Sequence, residues 1–252
     1  MPALRHPLRH PRRQIVAIGG GGFSMEPRNR RLDDFILSLT KKRRPRVLFL
    51  GTASGDSKNY VGRFMRAFKA PRATPRALEL FRMEELRETP RDIILAHDIV
   101  YVGGGSTANM LAVWRLHGID RALRDAWRRG IVLCGVSAGA ICWFENGLTD
   151  SFGRPLRELN DGLGLLRGSM CPHFGSGGRS IRFGESDRRS RYLRSVATQK
   201  LPAGWAADDG AAIHFVGDDV REVVTSRAGP RAFRVERHGA RVVETELPSR
   251  AL

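Results

Sequence analysis

The chain has 252 residues, 41% hydrophobic and 27% charged, enough for one sizeable core without disulfides or a structural metal, because a domain of this length buries roughly 70–75% of its unfolded surface. Three cysteines, Cys134, Cys142 and Cys171, have no CxxC spacing and form an odd set, which points to a reducing cytoplasm and away from a secreted disulfide framework. The net charge of +17 is carried almost wholly by arginines spread from Arg5 to Arg250, with no helix-turn-helix, zinc-finger or RNP-like pattern. It therefore reads as a solvated basic surface that attracts small anions, and a nucleic-acid site is disfavoured. No apolar run reaches the ~18–20 residues of a membrane span, and the basic amino terminus lacks the apolar region of a signal peptide.

Residues 1–13 hold two LRHP repeats without apolar periodicity and are expected to form a basic flexible arm, leaving 14–252 as a single α/β domain. Gln14–Ile18 predicts a buried strand running into Gly19–Gly22, followed by a helix over Arg31–Lys41. Arg46–Leu50 is the next strand and ends in the turn-rich Gly51–Asp56. A helix over Tyr60–Phe68 and a strand over Ala77–Leu80 follow, then a strand over Asp98–Val102 that ends in Gly103, Gly104 and Gly105. Helices are expected over Ala108–His117, Asp120–Arg129 and Ala138–Phe144, the last preceded by the strand Ile131–Cys134. Apolar strands alternating with amphipathic helices require a mostly parallel sheet covered on both faces, with ligands beyond the carboxyl ends of the strands. Four glycine-rich loops would converge there. From Trp205 onward the pattern turns to short alternating strands, Ala212–Val216, Glu222–Val224 and a hairpin of Phe233–Val235 with Arg241–Glu244, expected to add antiparallel strands to the sheet edge.

Chemistry concentrates at Gly135-Val136-Ser137-Ala138-Gly139, a GxSxG sequence between a buried strand and a helix. In that setting a strained turn exposes the serine hydroxyl at the start of the helix. A serine nucleophile needs a base. His6 and His10 lie in the arm, His97 precedes a strand, His117 ends a helix, His214 alternates into an edge strand and His238 sits in a turn, which leaves His173 in Cys171-Pro172-His173-Phe174. Ordinary α/β-hydrolases place their histidine near the chain end after an intervening acid, so a lipase or esterase is disfavoured. A glutamine amidotransferase needs a cysteine at the elbow, whereas Cys134 lies in the strand.

VGGGST (102–107), GVSAGA (135–140) and CPHF (171–174), in that order, resemble the peptidase E and cyanophycinase family of serine peptidases over about Ile15 to Val224. The resemblance implies a three-layer sheet like that of class I glutamine amidotransferases, Ser137 as nucleophile, His173 as general base, and an oxyanion hole from the Ala138 N–H with that of Gly104 or Gly105. It offers two acids for the histidine: Asp150, where peptidase E carries its aspartate, and Asp208, where cyanophycinases carry theirs. Glu145, in the expected helix after the elbow, is a third candidate. The peptidase E pattern further implies that an arginine downstream of the histidine grips the carboxylate of an amino-terminal aspartate, with Arg188 the first choice and Arg182 and Arg179 behind it. The expected partner is a small peptide, with no cofactor, no metal and no membrane, in a cytoplasmic protein that can form a homodimer. The competing expectation is a non-catalytic protein of the same fold whose basic surface holds an anionic partner such as nucleic acid; the joint presence of Ser137, His173 and an acid argues against it.

Overall fold

A computed structural model describes residues 12–175, 188–239 and 241–252. The expected arm and the candidates Arg179 and Arg182 lie outside these residues, apart from the last two residues of the arm. In chain order the first half comprises β1 (Gln14–Ile18), α1 (Gly22–Met25), α2 (Arg31–Ser38), β2 (Arg46–Leu50), α3 (Lys58–Ala67), β3 (Thr74–Leu78), α4 (Pro90–Leu95), β4 (Ile99–Val102), α5 (Thr107–His117), α6 (Ile119–Arg128), β5 (Val132–Val136) and the short α7 (Ala138–Ile141). The second half comprises β6 (Phe144–Thr149), β7 (Arg157–Leu159), β8 (Leu166–Pro172), α8 (Arg188–Ala197), β9 (Gly204–Ala207), β10 (Ala211–Val216), β11 (Asp219–Thr225), β12 (Ala232–His238), β13 (Arg241–Glu246) and β14 (Ser249–Ala251).

Local chemistry sets several boundaries. Thr89 caps α4 by accepting the Asp92 N–H, with Pro90 in the first turn where its missing N–H costs nothing. Ser106 caps α5 through the Asn109 N–H, and Gly118, in the left-handed conformation, ends that helix and begins α6. On β1, Ile15 and Ala17 face one core while Val16 and Ile18 face the other, so the whole strand is apolar because both sheet faces are covered.

The main sheet runs β14-β11-β10-β1-β5-β4-β2-β3, with β1, β5, β4, β2 and β3 parallel. β10 pairs antiparallel with β1 and β11 antiparallel with β10, as expected of the carboxyl-terminal segment. The hairpin β12–β13 goes elsewhere. It joins a second, six-stranded sheet, β13-β12-β9-β8-β6-β7, in which β12 pairs with β9. β12 is covered on both sides: Ala232 belongs to the core shared with the main sheet, while Phe233 and Val235 pack beside Tyr192 and Val196 of α8, whereas the edge strand β13 is largely exposed. Phe144 also departs from expectation, starting β6 where the sequence predicts a continued helix, so α7 has only four residues.

The layers follow from the cores. α1, α2 and α3 cover one face of the main sheet. The other face meets α4 to α7 and, beyond them, the inner residues of the second sheet such as Phe144, Leu166 and Met170. α8 covers the outer face of the second sheet. Among the described residues no helix is long and apolar enough to cross a membrane.

Candidate active site

Ser137 lies at the turn from β5 into α7 with φ 58° and ψ −115°, a conformation that side chains other than glycine adopt only under constraint. The constraint is visible on both flanks. A Cβ on Gly135 would lie 2.2 Å from the Gly139 carbonyl oxygen, and one on Gly139 would lie 2.3 Å from that of Val102, so the elbow closes only because both positions lack one. The Ser137 N–H donates to the Ile18 carbonyl at 3.1 Å, pinning the elbow to the end of β1, while the Ser137 carbonyl accepts the N–H groups of Ala140 and Ile141. The Ala138 N–H opens α7 and belongs to the first-turn amides for which a helix supplies no acceptor.

His173 follows β8 and is likewise held at positive φ, 56°. Its Nδ1–H donates to Asp209 Oδ1 at 2.5 Å, with the two side chains 23% and 29% exposed. This bond fixes the tautomer that leaves Nε2 as the basic nitrogen. Gly20, two residues past the strand end that holds Ser137, backs the pair: a Cβ there would come 2.0 Å from Asp209 Oδ1 and 2.9 Å from His173 Cε1. Gly20 also forms a bridge to Asp209, and its carbonyl accepts the Gly210 N–H at 2.7 Å. Serine, histidine and aspartate therefore gather around the carboxyl end of β1, the position expected for a ligand crevice in such a sheet.

The acid beside His173 is thus Asp209, not Asp150 or Asp208. Asp208 Oδ2 accepts the Arg231 N–H at 2.9 Å, and the Asp208 N–H donates to the Arg231 carbonyl at 2.9 Å, so it ties the end of β9 to the start of β12. Burial raises its pKa above the ordinary carboxylate value, with the bond from the Arg231 N–H opposing the rise. Successive side chains along an extended segment face opposite ways, and so neighbours separated by one position have different partners. Asp150, at the end of β6, is 64% exposed and stands 3.8 Å from the Arg188 guanidinium. Glu145 lies in β6 and not in a helix, and its Oε2 accepts the Gly168 N–H at 2.9 Å.

Of the oxyanion candidates, Gly104 lies against the serine, since a Cβ on it would be 3.2 Å from Ser137 Cβ. Its N–H, however, donates to the Tyr60 hydroxyl at 3.2 Å. Gly105, with φ 140°, approaches Ala53 so closely that a Cβ would meet the Ala53 carbonyl oxygen at 2.1 Å. Arg188 begins α8 and reaches back to the Leu148 carbonyl at 3.4 Å, close to the end of β6. Two further histidines are buried away from Ser137, His97 between α4 and β4 and His214 in β10. The His97 Nδ1–H donates to the Ile93 carbonyl at 2.6 Å, and His214 is buried between Gln14 and Glu222. Cys134 is fully buried in β5, its thiol donating to the Val100 carbonyl.

Comparison with known proteins agrees in extent with this layout. The profile described as Peptidase family S51 matches residues 15–223. The uncharacterized peptidase YgaJ of Bacillus subtilis (strain 168) is 46% identical over 240 residues, 95% of this chain and 99% of that protein. Among solved structures, a peptidase from an acI-B1 Actinobacterium superposes with a TM-score of 0.69 at 19% identity, covering 95% of this chain and 96% of the other, a likeness of fold.

Proposed function

Because the chain belongs to peptidase family S51, we propose that it cleaves small peptides with an acidic amino-terminal residue, through an acyl-enzyme formed on Ser137. The observation that carries this reading is the Asp209–His173 bond, set at the same strand end as the strained Ser137. Ser137 Oγ attacks the scissile carbonyl as its proton passes to His173 Nε2, and the carbonyl electron pair moves to the oxygen. The Ala138 and Gly105 N–H groups receive that oxyanion, each such donor being worth roughly 3–4 kcal/mol in acyl transfer. The tetrahedral intermediate collapses, the C–N bond breaks, and His173 returns the proton to the departing amine. Water then adds to the ester with His173 as base, and a second collapse frees the acid and restores the Ser137 hydroxyl. Asp209 holds Nδ1–H throughout and offsets the positive charge that the imidazolium carries in both halves.

Arg188 is the cation we assign to the substrate's acidic side chain. Its guanidinium is mostly sheltered and, among the described residues, the carboxylate that faces it is the exposed Asp150 at 3.8 Å, a contact that a substrate carboxylate can replace. Three buried thiols suit a cytoplasmic setting. The deciding experiment is reaction with an aryl phosphonate followed by mass mapping. Modification of Ser137, together with loss of both labelling and peptide hydrolysis in Ser137→Ala, is expected; a label on another residue with hydrolysis retained in Ser137→Ala overturns the proposal.

A further inference from the structure

Tyr60 lies in α3, outside all the motifs of the site, yet its hydroxyl connects two of the glycine loops that form it. The hydroxyl accepts the Gly104 N–H at 3.2 Å and donates to Ser24 Oγ at 3.0 Å. Ser24 is in α1, which directly follows the loop whose Gly20 backs Asp209 and His173. The ring is held firmly. It is 6% exposed, lies 5.2 Å from Phe49 and 5.5 Å from Phe23 between ring centroids, and is capped by the Arg63 guanidinium at 5.0 Å. Arg63 also donates to the Ser24 carbonyl, so the same side chain secures both ends of the contact. Gly103 fits against the ring edge so tightly that a Cβ there would come 2.9 Å from both Tyr60 Cε1 and Phe49 Cζ.

We propose that Tyr60 is a positioning residue for acyl transfer, anchoring the Gly104 peptide so that the Gly105 N–H, and not that of Gly104, faces the developing oxyanion. The inference rests on the peptidase reading above. Gly103 and Ser106 fix the ends of the loop through their N–H bonds to the Leu50 and Ala53 carbonyls, and between them the Tyr60 hydroxyl occupies the Gly104 N–H, which leaves the Gly105 N–H of the next peptide for the oxyanion. Burial raises the phenol's pKa, which keeps its proton in place and preserves the arrangement of one bond accepted and one donated.

Tyr60→Phe keeps the ring and removes only the hydroxyl, and Ser24→Ala removes the far end of the chain of bonds. Each full-length variant is treated with an aryl phosphonate, and the limiting rate of Ser137 modification and the half-saturating probe concentration are measured along with the melting temperature. Loss of one aiming hydrogen bond should slow the limiting rate about 10-fold in Tyr60→Phe and about 3-fold in Ser24→Ala, with unchanged half-saturation. A purely structural role would lower the melting temperature and leave the limiting rate of the folded protein alone, and that result overturns the proposal. So does an equal or faster rate, which would mean that a released Gly104 amide serves as well. If Tyr60→Phe does not fold, Ser24→Ala decides by the same criteria. Failure of the wild-type protein to label at Ser137 would instead refute the peptidase reading and the role of Tyr60 with it.

Discussion

Replacing Asp209 by asparagine tests the site at its most specific contact. The amide is isosteric, so the close fit against Gly20 is preserved, but it carries no charge to offset the imidazolium. In one of its orientations it also turns an N–H toward His173 Nδ1 and forces the proton onto Nε2, which abolishes the base. For a fully buried acid that change costs on the order of 10⁴-fold in turnover. Here the two side chains are about a quarter exposed, which screens part of the charge interaction and lowers the expected loss to about 10³-fold, or about 4 kcal/mol of transition-state stabilisation. Asp208→Asn retains a carbonyl oxygen for the Arg231 N–H and loses a 3.9 Å ion pair whose arginine is half exposed, without touching the His173 contact, so its turnover should fall less than about 10-fold. Asp150→Asn should do less still. The assay is kcat for an aspartyl dipeptide at pH 8, with melting temperatures to establish folding. An Asp209→Asn enzyme within tenfold of the wild type, or a larger loss in either of the other two variants, would refute the assignment.

Gly20→Ala places a methyl group where Asp209 Oδ1 and His173 Cε1 now lie, and should cut kcat by ~10²-fold or more while the far-ultraviolet circular dichroism is unchanged; full activity would show that the pair is not held there. Arg188→Ala should reduce the preference for aspartyl over asparaginyl dipeptides by roughly 30-fold or more, and the wild-type preference should persist in 1 M salt, where surface steering is screened; equal rates for both dipeptides in the wild type remove the acidic-substrate assignment. Asp33 is 1% exposed, and burial pushes its pKa up to about 7 from an unfolded value near 3.8. The folded state therefore holds that proton more tightly, and stability is lost as pH rises from about 4 through 7, by at most about 4 kcal/mol. Denaturant titrations should show this fall in the wild type and a flatter profile in Asp33→Asn, and a parallel fall in both would assign the loss to other groups.

The main sheet was readable because β1, β2, β4 and β5 are buried on both faces, and a strand covered twice is written as an unbroken apolar run. Of the second sheet only the β12–β13 hairpin was legible: β6, β8 and β9 carry glycines such as Gly147, Gly168 and Gly204 that interrupt the side-chain alternation, so no local periodicity marks them. The elbow announced itself through glycines that the close approach of Gly139 and Val102 requires. The acid was missed by a single position, because Asp208 and Asp209 are chemically identical in sequence and differ only in which way the chain turns each as it leaves β9 for β10. Tyr60 gave no signal, since an aromatic on the buried face of α3 is indistinguishable from packing until Gly104 is seen against its hydroxyl.

Asp209 sits at the corner where the backbone leaves the six-stranded sheet and enters the eight-stranded one, and this gives the chain a built-in order of competence. Ser137 belongs to the first sheet, whereas His173 follows a strand of the second, and their shared neighbour arrives only with the segment that crosses between them. A chain folded only as far as residue 175 contains the elbow and the histidine but lacks Asp209, lacks β9 beside β8, and lacks β10 beside β1. On the peptidase reading such a chain lacks the group that orients its base, and hydrolysis is gained only when the segment that carries Asp209 joins the two sheets.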